Sequence, residues 1–244
     1  LPARLPLRGD YRRPEVSAQR GAVERVVIGA RELDDLRALA KASGATLYMT
    51  LLAGFAALLG ARVDGRELVI ASPVANRPLA ELEGVVGYFV NTVALRLSVE
   101  PERSFAALLR ETQRVTAEAH SHKDLPFAEL APVLAPVLVP GAPPRAQLMF
   151  NLLPPPPPVA GAAALSVDTL CSQSGSARHE LNLTVQAHAE GLEGQLEYST
   201  ELFGQATAGA LVRGYARLLA AAVADPEASL ATLQAASVDR GSSQ

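Results

Sequence analysis

Histidine is the side chain best suited to move a proton near neutral pH, so the four histidines are weighed first. His120 and His122 fall with Asp124 in HSHKD, at the end of a helical pattern, where the helix dipole favours an imidazole whether or not it does chemistry. His179, in ARHELNL, reads as a packing position beside a surface Glu180, and His188 as an exposed hairpin residue. This favours a structural or channel-lining role for His122 and Asp124 over proton transfer. A metal site is not expected: there is no HxxxH, no CxxC and no carboxylate cluster beyond Glu81 and Glu83. Phosphate-cradling GxGxxG and GKS loops are absent, as is a G-x-S-x-G nucleophile elbow. Asn91 and Thr92 are the other informative pair, because polar residues in an apolar run must find hydrogen-bond partners. They either tie a strand to a neighbouring loop or line a solvated channel.

That run is VVGYFVNTVALRL, Val85 to Leu97, with turn-permissive Gly84 and Gly87 at its start. From Phe89 to Leu97 it is nearly unbroken, as in a strand buried on both faces. Ahead of it, residues 1–20 read as an extended Pro- and Arg-rich arm. Ala22 to Ile28 reads as a strand and Arg31 to Ser43 as a helix closed by Gly44. Thr46 caps a dense apolar helix to Leu59. Leu68 to Ala71 is a short buried strand, broken by Pro73, Asn76, Arg77 and Pro78. Beyond the run, Ser104 caps an amphipathic helix to His120, and Pro126 opens a short helix over Phe127 to Leu134. Ala146 to Leu153 is a strand running into Pro154–Pro158, a polyproline strut. Strands follow at Ala163 to Leu170, Leu181 to Ala189 and Leu192 to Tyr198, the last two joined at Glu190-Gly191. Thr207 caps a helix to Val223, and Asp225-Pro226 starts a closing one. The mixed order predicts an α/β sandwich with a mixed sheet.

The chain has 244 residues, 49% apolar and 19% charged, with a formal charge of −3, so nothing points to a nucleic-acid or membrane partner. The basic residues Arg4, Arg8, Arg12, Arg13, Arg20 and Arg25 lack the aromatic interleaving of a nucleic-acid surface. Cys171 is the single cysteine, which excludes an intrachain disulfide and makes the cytoplasm the expected compartment. No apolar span of 18 residues is free of charges and prolines, no signal peptide is present, and the chain reads as a piece of something longer.

GVVGYFVNTVALR closely resembles the "GxFVNT" motif in the C-terminal half of condensation domains from nonribosomal peptide synthetases. VIASPVANRPLAELEG (Val69 to Gly84) is similar to the strand and loop that lead into it, and HKDLPFAEL (His122 to Leu130) to the family's "HQDxPFE". His120 to Asp124 also has the HxxxD interval of histidine acyltransferases, but Leu-Pro-Phe follows where those have glycine. The resemblance implies the chloramphenicol-acetyltransferase-like fold, an α/β sandwich in two lobes, of which 21–234 would be the C-terminal one and 235–244 a tail. It implies peptide-bond formation between aminoacyl or peptidyl thioesters held on the phosphopantetheine of upstream and downstream carrier proteins. No cofactor would be bound directly, and an adenylation domain would be a neighbour. The catalytic histidine belongs to an "HHxxxDG" motif of the N-terminal lobe, and this sequence has no HH pair.

By the same resemblance, residues 72–91 would form a loop flooring the substrate tunnel and 151–160 a crossing that holds the lobes together. Asn76, Arg77, Phe89, Asn91, Thr92, His122 and Asp124 would line the tunnel or the lobe junction, with no catalytic residue among them. Two departures stand out: Lys123 replaces the glutamine of "HQD", and VPGAPPRAQLMF lacks the Arg-Asp pairing of "RDxSRNPLF". The alternative is a non-catalytic module of the same fold that recruits a carrier protein or a tailoring enzyme.

Overall fold

A computed structural model describes residues 7–77, 79–134, 146–154, 174–188 and 190–238. Its elements run β1 (Gly21–Gly29), α1 (Ala30–Ala42), α2 (Leu47–Gly60), β2 (Glu67–Ala75) and β3 (Val90–Ser98). They continue with α3 (Phe105–Ser121), α4 (Phe127–Leu134), β4 (Leu148–Leu153), β5 (Leu181–His188), β6 (Gly191–Ser199), α5 (Gln205–Ala224) and α6 (Leu230–Ser237). The six strands make one sheet in the order β1-β6-β5-β4-β2-β3. β4 pairs parallel with both β2 and β5, and the other pairs are antiparallel. The mixed α/β sandwich expected from the sequence is the one found.

Helix α2 is apolar on every side, and Thr50 through Leu59 are buried. It packs on α1, α3, α5, α6 and β2. A Cβ on Gly54 would stand 2.4 Å from Leu219 Cδ2, so α2 and α5 cross at a separation that glycine permits. At this crossing the Tyr215 hydroxyl donates to the Leu51 carbonyl at 2.9 Å, and burial pushes its pKa up. Thr46, Ser104 and Ser229 cap α2, α3 and α6 through the N–H groups of Met49, Ala107 and Thr232. Gly44 follows α1 at φ +65°, as its helix-ending role predicts.

Four local expectations are corrected. β2 does not stop at Ala71: it runs to Ala75 with Pro73 opposite Thr92. It pairs with β4 at Ala71, opposite Met149, so a residue without a ladder N–H is tolerated beyond that point. β3 is not covered on both faces. It is an edge strand in which Val93, Leu95 and Leu97 are buried while Val90 and Arg96 are exposed. α5 begins at Gln205, ahead of Thr207, because the cap comes from elsewhere in the chain. α6 is capped by Ser229, while Asp225 ends α5 and accepts the Glu227 N–H in a turn. Residues 155–158 of the proline tract, the strand expected over 163–170, Cys171 and 239–244 lie outside the described residues.

Residues 7–20 run without helix and are strapped to the body. Leu7 is buried and bridges to Val63. The Asp10 carboxylate accepts the Gly204 N–H at 2.8 Å and the Thr207 hydroxyl at 3.0 Å, placing negative charge at the N-terminus of α5. Arg13 forks onto Glu180, whose carboxylate also accepts from Gln147 Nε2 at 2.8 Å. Glu180 is therefore a buried, neutralised charge and not a surface residue. Farther along, Glu201 accepts from the Ser17 hydroxyl at 2.7 Å and the Ala18 N–H at 3.1 Å. Burial alone would push the Glu201 carboxyl up; the Ser17 and Ala18 donors, the Arg20 charge and the Gln19 N–H outweigh it and hold the carboxyl below its ordinary range.

Arg13→Ala leaves Glu180 buried without its cation. The expected loss is about 3 kcal/mol, read as a lower urea midpoint at unchanged slope; Asp10→Ala loses about 1 kcal/mol. The depressed Glu201 carboxyl contributes stability that is present above its unfolded pKa of roughly 4.3 and fades as pH falls through the lower folded value. Urea midpoints of wild type and Glu201→Gln should therefore differ most at pH 7 and converge as pH falls from the unfolded value through the lower folded one.

Candidate functional site

The loop between β2 and β3 is closed at its base by the Asn76 N–H donating to the Phe89 carbonyl at 3.0 Å. Inside it, the Arg77 guanidinium lies 4.0 Å from the centroid of the Phe89 ring and Nη1 donates to the Leu82 carbonyl. That cation–π contact is worth about 0.5–1 kcal/mol at an exposed site. A single 3₁₀ turn, Ala80–Leu82, stiffens the far side. Arg77 is turned inward, Glu81 and Glu83 stay exposed, and the loop presents apolar side chains outward as well. Val86 is 100% exposed and Tyr88 88%, and Leu79, Val85 and Val90 are exposed beside them. The sequence reading began the buried run at Phe89, so Val85 and Tyr88 fall ahead of it. Gly84 and Gly87, which turn the chain before β3 begins, were the signal that they lie outside it.

Strand alternation sets Asn91 on the side of Val93, Leu95 and Leu97, and Thr92 on the other side with Arg96. Asn91 Nδ2 donates to the Lys123 and Leu125 carbonyls, each at 2.7 Å, and Oδ1 accepts the Phe127 N–H at 3.2 Å. Of the two uses the sequence left open for Asn91, the structure displays the tie from strand to loop. All three of its polar functions are spent on the corner between α3 and α4, where His122 and Asp124 stand exposed. His122 is the C-cap residue of α3. Among the described residues no ion pair joins His120 or His122 to Asp124. The His120 Nδ1–H instead donates to the Thr116 carbonyl at 2.9 Å, as a carbonyl can only accept.

Asn76, Arg77 and Phe89 thus form one cluster, and Asn91, His122 and Asp124 a second, joined by two residues of strand. Thr92 alternates away from Asn91, onto the face of β3 that carries Ala94 and Arg96. The carbonyl partners of Arg77 and Asn91 belong to Leu82, Lys123 and Leu125, and a backbone oxygen leaves no mark on residue type.

An open groove of about 670 Å³ runs between β3 and α3, with Ala94, Val115 and Ala119 among its lining and His122 where α3 ends. Its flanking charges are paired within the chain: Arg96 with Glu67 at 2.6 Å, Arg114 with Glu118 at 2.7 Å, and Arg103 with Glu111. A smaller cleft of about 60 Å³ lies over β1, β5 and β6 and is lined by Asn182, Thr184, Gln195 and Glu197. Burial pushes the Glu197 carboxyl up, and the Arg178 N–H and charge counter only part of it. Among the described residues no three His, Cys, Asp or Glu side chains gather as a metal site would require.

The Condensation domain family matches residues 1–241. Surfactin synthase subunit 1 of Bacillus subtilis (strain 168) is 32% identical over 98% of this chain and 7% of its own length. Among solved structures, the complex of the X-domain and OxyB from teicoplanin biosynthesis superposes with a TM-score of 0.81 at 23% identity, over 94% of this chain and 51% of that one. The first condensation domain of the calcium-dependent antibiotic synthetase, in complex with a substrate analogue, superposes at 0.73 with 24% identity, over 91% of this chain and 50% of that one. The chain therefore spans a small fraction of the synthetase and about half of each solved chain. These neighbours carry the chloramphenicol-acetyltransferase-like scaffold anticipated from the sequence motifs. With the family matched over residues 1–241 and the fold shared with these solved structures, this chain belongs to the condensation domain family.

Proposed function

We propose that this chain is the C-terminal lobe of a condensation domain, walling the passage in which an amine on one carrier protein attacks a thioester on another. In that reaction the amine nitrogen bonds to the thioester carbonyl carbon, the C–S bond breaks, and the nitrogen's proton ends on the released thiol. The histidine of an HHxxxDG motif, from an N-terminal lobe, would handle the proton. Both substrates would arrive on phosphopantetheine arms, beside a neighbouring adenylation domain and in the cytoplasm. Within residues 72–91, whose ends belong to β2 and β3, the loop of residues 76–89 would floor the passage, held in shape by Arg77 on Phe89 and closed by Asn76. Thr92, His122 and Asp124 would line the passage or the lobe junction. One observation carries the reading: a braced loop holds Val86 and Tyr88 almost wholly in water. Apolar groups displayed this way mark a surface that another folded body covers. The half-length match to each solved chain supports the same partner.

A second reading, a non-catalytic module that recruits a tailoring enzyme or a carrier protein, is favoured by the likeness to the X-domain, which was solved in complex with OxyB.

The test is to supply an N-terminal lobe bearing HHxxxDG, within one polypeptide or co-expressed, and to assay loaded carriers by mass spectrometry. The expected result is an amide product that needs both lobes. Turnover by this chain alone would overturn the proposal, and assembly that binds a tailoring enzyme or a carrier protein but forms no amide would favour the second reading. A Val86→Ser, Tyr88→Ser pair should leave the melting temperature of this chain within a few degrees while weakening lobe association about tenfold or more.

A further inference from the structure

We infer that Asn91 is a positioning residue, whose carboxamide couples the loop of residues 76–89 to the α3–α4 corner and so fixes where His122 and Asp124 stand. A corner between two helices leaves carbonyls without partners behind it and N–H groups without partners ahead of it. Asn91 serves both: it donates to Lys123 and Leu125 just past the end of α3 and accepts from Phe127, the first residue of α4. His122 lies inside the turn so pinned, since its own N–H reaches back to the Ala119 carbonyl at 3.2 Å and its carbonyl accepts the Leu125 N–H at 3.1 Å.

Two residues earlier, Phe89 carries Arg77 on its ring and the Asn76 N–H on its carbonyl. An extended backbone has little slack over two residues, so the loop brace and the corner clamp move as one body. The chemistry of the position is narrow. Here one carboxamide donates twice and accepts once; aspartate can only accept and would face two carbonyls, leucine does neither, and glutamine is one methylene too long.

The coupling rests on geometry alone, and its effect on turnover rests on the passage-walling reading, so the experiment has two arms. In this chain, Asn91→Asp and Asn91→Leu should raise hydrogen exchange at Leu125 and Phe127 about tenfold, with the amides of α2 and α5 unchanged. Arg77→Met should loosen the same corner, since the brace and the clamp form one body. An unchanged corner in the Asn91 variants, a uniform rise across the fold, or a corner indifferent to Arg77→Met overturns the coupling. This arm decides it whether or not any assembled domain condenses. In the two-lobed domain, Asn91→Asp should lower kcat at least tenfold with KM for the carriers unchanged. Loosened corner amides with kcat intact would remove the positioning role.

Discussion

A helix that is apolar all round cannot be left against water on any side, and α2 imposes that condition on the rest of the chain. Each of its leucines is worth roughly 1.5–3 kcal/mol when fully covered, and nothing local can cover them. The cover comes from Phe150 on β4, Tyr215 and Leu219 on α5, and Gln234 on α6, whose amide donates to the Ala57 carbonyl at 2.9 Å. Gly54 lets α5 approach closely enough to close one side. Among the described residues no single helix is long and apolar enough to cross a membrane, and the apolarity of α2 is absorbed by the core.

What could be read from the sequence was what neighbouring residues decide. Thr46, Ser104 and Gly44 mark helix ends because the groups they satisfy lie within one turn, and the apolar periods of α1 and α3 show which face is covered. Strand order was not legible, since nothing in VNTVALRLS says that it sits at the edge of the sheet. Its apolar run looked like a buried strand because, of the side chains that alternate outward, Val90, Thr92 and Ala94 are apolar or only mildly polar and Arg96 alone is charged. The start of α5 was misplaced for a related reason: its anionic partner is Asp10, almost the whole chain away, so Thr207 was the nearest visible candidate.

The polar groups inside or against the core show the same division. Glu180 resembled a surface residue beside a histidine, but the guanidinium that permits its burial belongs to a stretch that reads as a loose arm. Once Glu180 is committed to the interior, Arg13 must follow. Glu201 and Asp10 fasten the same strap at two further points, which explains why a segment without regular structure is held as part of the body. Asn91 was singled out correctly as a residue needing partners, and its actual partners, two carbonyls and an N–H, were beyond the reach of residue types.

An apolar loop left to itself should fold its side chains back toward the protein; this one does not, because its polar contacts are arranged to prevent it. Arg77 holds Phe89 from one face, the Leu82 carbonyl fixes the guanidinium, and the Asn76–Phe89 bond closes the neck. Val86 and Tyr88 are thereby held exposed to water. On the proposed reading, the second lobe meets a surface whose ordering entropy was lost during folding, and association does not have to supply it. The loop joins β3, and β3 is bound through Asn91 to the corner bearing His122 and Asp124. A lobe docking on the tip would therefore register against both clusters at once, which is what a passage with walls on two sides requires.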